Sequence, residues 1–135
     1  MAEQYGVAIK AELKRLLDSF NREEQYVKAI AAISASGLPI SCMIVDDSLT
    51  ETTLTALMGS TFQSAERVNL EMNHGDPKLV FIQGEKGDFL LVECGTGALG
   101  IVFNQPVYLA QLFLHDIQRV EETCTKLAPL FLGSD

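Results

Sequence analysis

The sequence has little positive charge: ten Lys and Arg residues stand against eighteen Asp and Glu residues, with two histidines. The net charge of -8 argues against nucleic-acid binding, because binding phosphates requires clustered Lys and Arg side chains. The same sign disfavours anionic membrane surfaces. The acidity is compatible with a basic protein partner, and also with a charge that serves only solubility.

Cysteine is also scarce, and Cys42, Cys94 and Cys124 are widely separated. An odd number at this spacing matches neither a disulfide framework nor a zinc-ligand pattern. We therefore expect reduced thiols in a cytoplasmic protein, and we interpret Cys94, beside Gly95, as a structural residue at the end of a strand. Glycine and proline interrupt the long uncharged stretches, so we expect no membrane insertion.

Motifs for catalysis and nucleotide binding are missing as well. The chain has no P-loop pattern, and Gly95-Thr-Gly97 is better explained as a turn. Asp46 and Asp47 could ligate a metal, but no further ligands follow at a matching spacing, which favours a role at a helix start. His74 and His115 have no cysteine nucleophile to pair with. We therefore predict no enzymatic activity and no cofactor.

The chain does contain three short apolar segments, residues 78–83, 88–93 and 98–103, joined by two Gly-containing connections. Segments of this length with short turns between them predict an antiparallel meander. Because the segments are apolar at nearly every position, they need cover on both faces of a sheet.

Two more strands are predicted nearer the N-terminus, at Tyr26–Ser34 and Leu38–Val45. The first is rich in alanine and could also be a helix, but the turn signal Ala35-Ser36-Gly37 favours a hairpin. Pro39 cannot donate to a ladder, which predicts that the second strand begins as an edge strand.

Amphipathic periodicity predicts a helix at each end of the chain. The first spans about Glu3–Phe20, and its apolar positions are Tyr5, Ile9, Leu13, Leu16, Leu17 and Phe20. The last spans Val107–Leu127, with Pro106 at its first turn and Pro129 limiting its extent. Its apolar positions are Leu109, Leu112, Phe113, Ile117, Val120, Cys124 and Leu127.

A middle helix is predicted from an N-cap at Ser48, with Glu51 in capping-box spacing, to about Asn73. Its predicted core stripe is Leu54, Leu57, Met58, Thr61, Ala65, Val68 and Met72. Its reverse side carries Ala56, Gly59, Ser60, Gln63, Arg67 and Leu70. Short side chains there would let a second backbone approach closely, although they could also simply face water.

The element order, together with a few local patterns, resembles the Roadblock family of dynein light chains and their prokaryotic relatives, over about Glu12–Leu127. The patterns are Gly37-Leu-Pro-Ile40 in the first hairpin, the small-residue helix after it, the Leu79–Phe103 meander and the closing amphipathic helix. Ser36 stands where the family often has Asp, and Thr55-Ala56 replaces its usual pair of alanines.

This resemblance implies one Roadblock-like domain over residues 1–135, of α+β class with profilin-like architecture. It implies a five-stranded antiparallel sheet with the middle helix on one face and the terminal helices on the other. It also implies a homodimer in which the strand Lys78–Gln83 pairs with its mate, and an apolar edge strand independently needs such cover. The expected dimer-interface residues are Leu79, Val80, Phe81, Ile82, Ala56, Gly59 and Ser60.

Family members serve as platforms for small Ras-like GTPases, as regulators or scaffolds, or as motor light chains. The resemblance therefore implies a cytoplasmic, non-catalytic adaptor that docks a small Ras-like GTPase through Gln63, Arg67 and Leu70 on the middle helices. An arginine finger at Arg67 is conceivable, but a solvated arginine explains it better. A structural light chain of a larger assembly and a small-ligand sensor domain are the alternatives.

Overall fold

The structure, a computed structural model, describes residues 2–107 and 111–134, and the side chains of residues 6–107 and 111–131. Its sheet has five antiparallel strands in the order β2-β1-β5-β4-β3. They are β1 (Val27–Ile33), β2 (Pro39–Ile44), β3 (Leu79–Gln83), β4 (Asp88–Cys94) and β5 (Gly97–Phe103). The predicted sheet is confirmed, and β2 and β3 are its two edges.

Helices cover both faces of this sheet, as the resemblance implied. They are α1 (Ala2–Phe20), α2 (Glu51–Met72), a π-helical turn (Leu112–Asp116) and α3 (Ile117–Ser134). The terminal helices α1 and α3 pack against each other on one face, and α2 packs on β1 and β2 from the other.

The core on the α1/α3 face is built from large side chains. Ile9, Leu13, Leu16 and Leu17 of α1 are buried there, as its periodicity predicted. The Phe103 ring meets the Phe20 ring edge-on, with centroids 5.8 Å apart, and such aromatic pairs add to the burial of apolar area. The predicted apolar positions Tyr5 and Leu109 lie outside the described side chains.

The core on the α2 face depends instead on small residues. Ala29 and Ala31 of β1 point toward α2, which explains the alanine-rich sequence of that strand. A Cβ at Gly100 of β5 would lie only 2.8 Å from the Met58 sulfur. The close packing of α2 on β5 therefore requires a residue without a side chain at this position.

The predicted core stripe of α2 is only partly correct. Leu54 and Met58 are buried, but Leu57 is 56% exposed, Val68 51% and Met72 61%. For the last two the reason is length: the 22 residues of α2 span about 33 Å, whereas strands of five to seven residues span about 17–24 Å. Val68 and Met72, in the C-terminal half of α2, therefore extend beyond the surface that could bury them. Leu57 lies between the buried Leu54 and Met58 along the helix, and it is exposed because it falls at the side of the buried stripe.

The prediction that Pro129 limits the last helix near Leu127 is wrong, because α3 continues through Pro129 to Ser134. Proline removes one backbone hydrogen bond and disfavours a helix interior. Here Leu127 and Phe131, on either side of the proline, are both fully buried. Burying two large apolar side chains offsets the cost of the missing hydrogen bond.

The predicted N-cap at Ser48 is also wrong, and Thr50 caps α2 instead. The Thr50 side chain accepts a hydrogen bond from the Thr53 N–H at 3.2 Å. Ser48 lies in the turn that precedes the helix. Its N–H donates to Asp46 Oδ1 at 2.9 Å, and this hydrogen bond lowers the pKa of Asp46. The predicted end of the helix is confirmed by Asn73, which adopts a left-handed conformation at the C-cap.

This difference between the two hydroxyl residues can be measured. We expect Thr50→Ala to lower the free energy of unfolding by about 1 kcal/mol, because the Thr53 N–H loses its side-chain acceptor at the helix start. The matched variant Ser48→Ala should change it by less than about 0.5 kcal/mol. Urea denaturation followed by circular dichroism compares the two variants. A larger loss of unfolding free energy for Ser48→Ala would show that Ser48 is the N-cap.

Candidate protein-docking surface

The outer edge of β3 carries unpaired backbone groups. The Glu93 N–H donates to the Lys78 carbonyl at 2.9 Å, and the Gly84 N–H donates to the Gly87 carbonyl at 3.0 Å. In an antiparallel ladder the bonded positions alternate, so Val80 and Ile82 bond to β4. The N–H and C=O groups of Leu79, Phe81 and Gln83 therefore point away from the sheet and can pair with another strand.

The β3 side chains that sequence reasoning assigned to a dimer interface divide between the two faces. Leu79 and Phe81 are half-buried against the core on the α1/α3 face. Val80 packs against the core under α2. Ile82, two residues further on, belongs to the same face as Val80 and is 50% exposed. Only part of the α2-facing side of β3 is covered within one protomer.

A second exposed apolar surface lies on α2 itself. Leu57, Val68 and Met72 fall on one side of the helix, and we call these three residues the apolar flank. They lie on the sheet face that also carries Ile82. Sequence reasoning missed this surface because the same residues fit a core stripe. For Val68 and Met72, the signal that could have identified them is the length of the helix compared with the short strands around it.

The predicted small-residue side of α2 is also open to solvent. Ala56 and Ser60 are exposed, as are Gln63 and Arg67. Leu70, at 78%, has the largest exposed fraction among the large apolar side chains that the structure describes. This side therefore offers a polar surface with one prominent leucine.

Gly59 faces an open cleft of about 370 Å³ between α2 and the end of the sheet. A Cβ built on Gly59 would meet no atom within 4 Å. The cleft is also lined by Glu66, Asp76 and Glu93, and Glu93 pairs with Lys78 at 3.0 Å. Within the described parts of the chain, no three His, Cys, Asp or Glu residues are arranged to hold a metal ion.

The buried carboxylate of Asp116 lies apart from this surface, at the end of the π-helical turn. Burial raises its pKa, while Arg119, with a nitrogen 3.7 Å from Oδ1, acts in the opposite direction. The other oxygen, Oδ2, has no hydrogen-bond partner among the described residues. Tyr26 and Asp116 line a second open cleft, of about 490 Å³. The pKa of Tyr26 is raised, first by burial and then by the charge of Asp116.

No helix among the described residues is both long and apolar enough to cross a lipid bilayer.

Comparison with known protein families identifies the domain. The Roadblock/LC7 domain matches residues 13–103 of the chain. Among curated proteins, no sequence matches.

Solved structures with the same fold are similar over nearly the whole chain. MglB of Myxococcus xanthus is 17% identical with a TM-score of 0.76, and the alignment covers 96% of this chain and 92% of that one. A Roadblock/LC7 domain from Streptomyces avermitilis is 13% identical with a TM-score of 0.70, covering 87% and 96%. The gliding protein MglB from Thermus thermophilus is 15% identical with a TM-score of 0.68, covering 93% of each chain. At identities this low, the structural similarity establishes a shared fold and no more.

The open space beside Gly59 leads to a prediction about stability. We expect Gly59→Ala to raise the free energy of unfolding by about 0.5–1 kcal/mol, because alanine favours a helix interior and its Cβ meets nothing here. Chemical denaturation of the purified protein measures the change. A loss of stability at protein concentrations where the chain associates would instead show that a second backbone lies against Gly59.

Proposed function

Because the chain belongs to the Roadblock/LC7 domain family, we propose that it is a non-catalytic adaptor whose homodimer docks a small Ras-like GTPase on the paired α2 helices. The observation that carries the proposal is the combination of an open β3 edge with the apolar flank on the same side of the sheet. Either surface alone would be a liability for a solitary protein.

The size of a stable interface explains why both surfaces are needed. A specific dimer buries about 800 Å² on each partner, contributed by about 20–30 residues a side. The five residues of β3 cannot supply that alone. If two β3 strands pair antiparallel about a two-fold axis, the sheet becomes continuous across the dimer. The partly covered faces around Ile82 and the two apolar flanks then lie on one side of that sheet, where they extend the interface.

The docking surface follows from this arrangement. The side of α2 with Gln63, Arg67 and Leu70 stays accessible when the apolar flank is used by the dimer, because it lies on the opposite side of the helix. Arginine is enriched in interface cores, and Leu70 adds an exposed apolar side chain on the same side of the helix. The small Ras-like GTPase is the partner expected from the family resemblance, and the chain supplies no nucleotide-binding motif of its own.

A structural light chain is the second candidate, and the same open β3 edge favours it. A strand from a different protein could pair with Leu79, Phe81 and Gln83 as well as a second copy could. The two candidates differ in the state of the isolated chain, which is a dimer in the first case and a monomer in the second.

The proposed dimer predicts a specific response to charge at exposed positions. We expect Ile82→Lys and Val68→Lys each to weaken self-association by roughly tenfold or more, because each would place a charge in an apolar contact. Both side chains are about half exposed in one protomer, so the fold should be retained. Size-exclusion chromatography with light scattering, over a range of protein concentrations, measures the association.

The matched control is Val7→Lys, which places the same charge on the outer surface of α1, where Val7 is 72% exposed. This variant should associate like the parent chain. Equal weakening by all three lysines would point to a general charge effect. A parent chain that stays monomeric at every concentration would contradict the homodimer and favour the light-chain candidate. Phe81 is less suitable for this test, because a charge there would also disturb the core against which it packs.

GTPase docking can be separated from dimerisation. We expect Leu70→Glu to abolish binding to a small Ras-like GTPase while the dimer remains intact, because Leu70 lies off the apolar flank. Leu114→Glu, at a similarly exposed leucine on the π-helical turn, should leave binding unchanged. Biolayer interferometry with GDP-loaded and GTP-loaded GTPases from the same organism measures the affinity. Failure of every GTPase in both nucleotide states to bind the intact dimer would reject this function.

A further inference from the structure

Two of the three cysteines, distant in sequence, meet where β4 ends against α3. Cys94 is the last residue of β4, and Cys124 lies on α3. The Cys94 thiol donates a hydrogen bond to the carbonyl oxygen of Cys124 over 3.5 Å. Both residues belong to the apolar cluster between the sheet and the terminal helices.

The backbones of the two elements are unusually close at this point. Gly95 follows Cys94 with a φ of +61°, and a Cβ on Gly95 would lie 2.9 Å from the Ala128 Cα. Ala128 is one helical turn beyond Cys124, so strand end and helix are in direct backbone contact beside the thiol pair. A disulfide requires such an approach, because its two Cα atoms lie about 4.4–6.8 Å apart.

The two thiols differ in accessibility. Cys94 is 1% exposed, whereas Cys124 is half-buried and reaches solvent. The interaction with Cys124, and then burial, raise the pKa of Cys94 well above its usual range. Because it reaches solvent, Cys124 is the thiol that meets an oxidant first. Cys42 lies on β2, outside this pair.

We propose that Cys94 and Cys124 are a redox site that forms a reversible intramolecular disulfide when the protein meets hydrogen peroxide or a small-molecule disulfide. With peroxide, the Cys124 sulfur attacks one peroxide oxygen, the O–O bond breaks, and Cys124 sulfenic acid and water result. The Cys94 sulfur then attacks the Cys124 sulfur, the S–O bond breaks, and the sulfenic hydroxyl leaves as a second water with the proton of the Cys94 thiol. Two thiols and one peroxide give one disulfide and two waters, so both electrons come from the cysteines.

With a small-molecule disulfide, the same bond forms by two thiol–disulfide exchanges. Cys124 forms a mixed disulfide and releases one small thiol, and Cys94 then displaces the second. Either route ties α3 to the end of β4 and closes a loop between residues 30 positions apart. The link lies on the face opposite α2, so it stabilises the protein without depending on the docking function proposed above.

Peptide mapping of the full-length protein tests the site. The reduced protein is treated with hydrogen peroxide or oxidised glutathione, free thiols are blocked with iodoacetamide, and the chain is digested with trypsin without reduction. Cys94 then lies in the peptide Gly87–Arg119 and Cys124 in Val120–Lys126. We expect these two peptides to be linked, and dithiothreitol to separate them. Oxidation should raise Tm by roughly 10 °C.

Variants at each cysteine make the test specific. Cys124→Ser and Cys94→Ala should abolish the link and the rise in Tm, whereas Cys42→Ser should leave both unchanged. Cys124→Ser changes a half-buried residue, so it keeps the test valid even if Cys94→Ala does not fold. The proposal is overturned if the linked peptides appear only after denaturation in urea, or if oxidation joins Cys42 instead. A folded parent chain that retains three free thiols in both oxidants also overturns it.

Discussion

The structure depends on a mismatch between a long helix and a small sheet. The 22 residues of α2 outrun strands of five to seven residues, so the sheet can bury only the part of the helix around Leu54 and Met58. A sheet with longer strands would have covered Val68 and Met72 as well. The part of α2 beyond the sheet is thus held rigidly by its buried half while its apolar side chains remain available. The proposed adaptor function would need this property, since a preorganised surface loses less entropy when a partner binds.

The two edges of the sheet differ in how well they are protected from pairing with another strand. At β2, Pro39 removes a donor near the start of the strand, and α1 packs alongside it. At β3, the strand Leu79–Gln83 has no proline and no charge, and no described helix packs along it to the same extent. Natural proteins protect exposed edges by such devices, so their absence from β3 alone points to this edge as the place for another strand.

Sequence alone predicted the parts of the fold that follow from local rules. Strand lengths, turn glycines and helical periodicity depend on neighbouring residues, and the five strands and the first two helices were found close to their predicted limits. The errors arose where distant packing decides the outcome. Pro129 sits inside α3 because the flanking Leu127 and Phe131 are buried, and Val68 is exposed because the sheet ends before reaching it. Periodicity identifies an apolar stripe, but it cannot show how much of that stripe another element covers.

The cysteine pair shows the same limit for the chemistry of the chain. In sequence, Cys94 and Cys124 are too far apart to suggest a relationship, and only the close packing of α3 on β4 brings them together. Gly95 makes that packing possible, because a side chain there would collide with the backbone at Ala128. Gly95, which follows the last residue of β4, thus allows α3 to lie close to the strand end beside the two cysteines. Since α2 covers the opposite face of the sheet, the proposed disulfide would join α3 to β4 on the face away from the apolar flank.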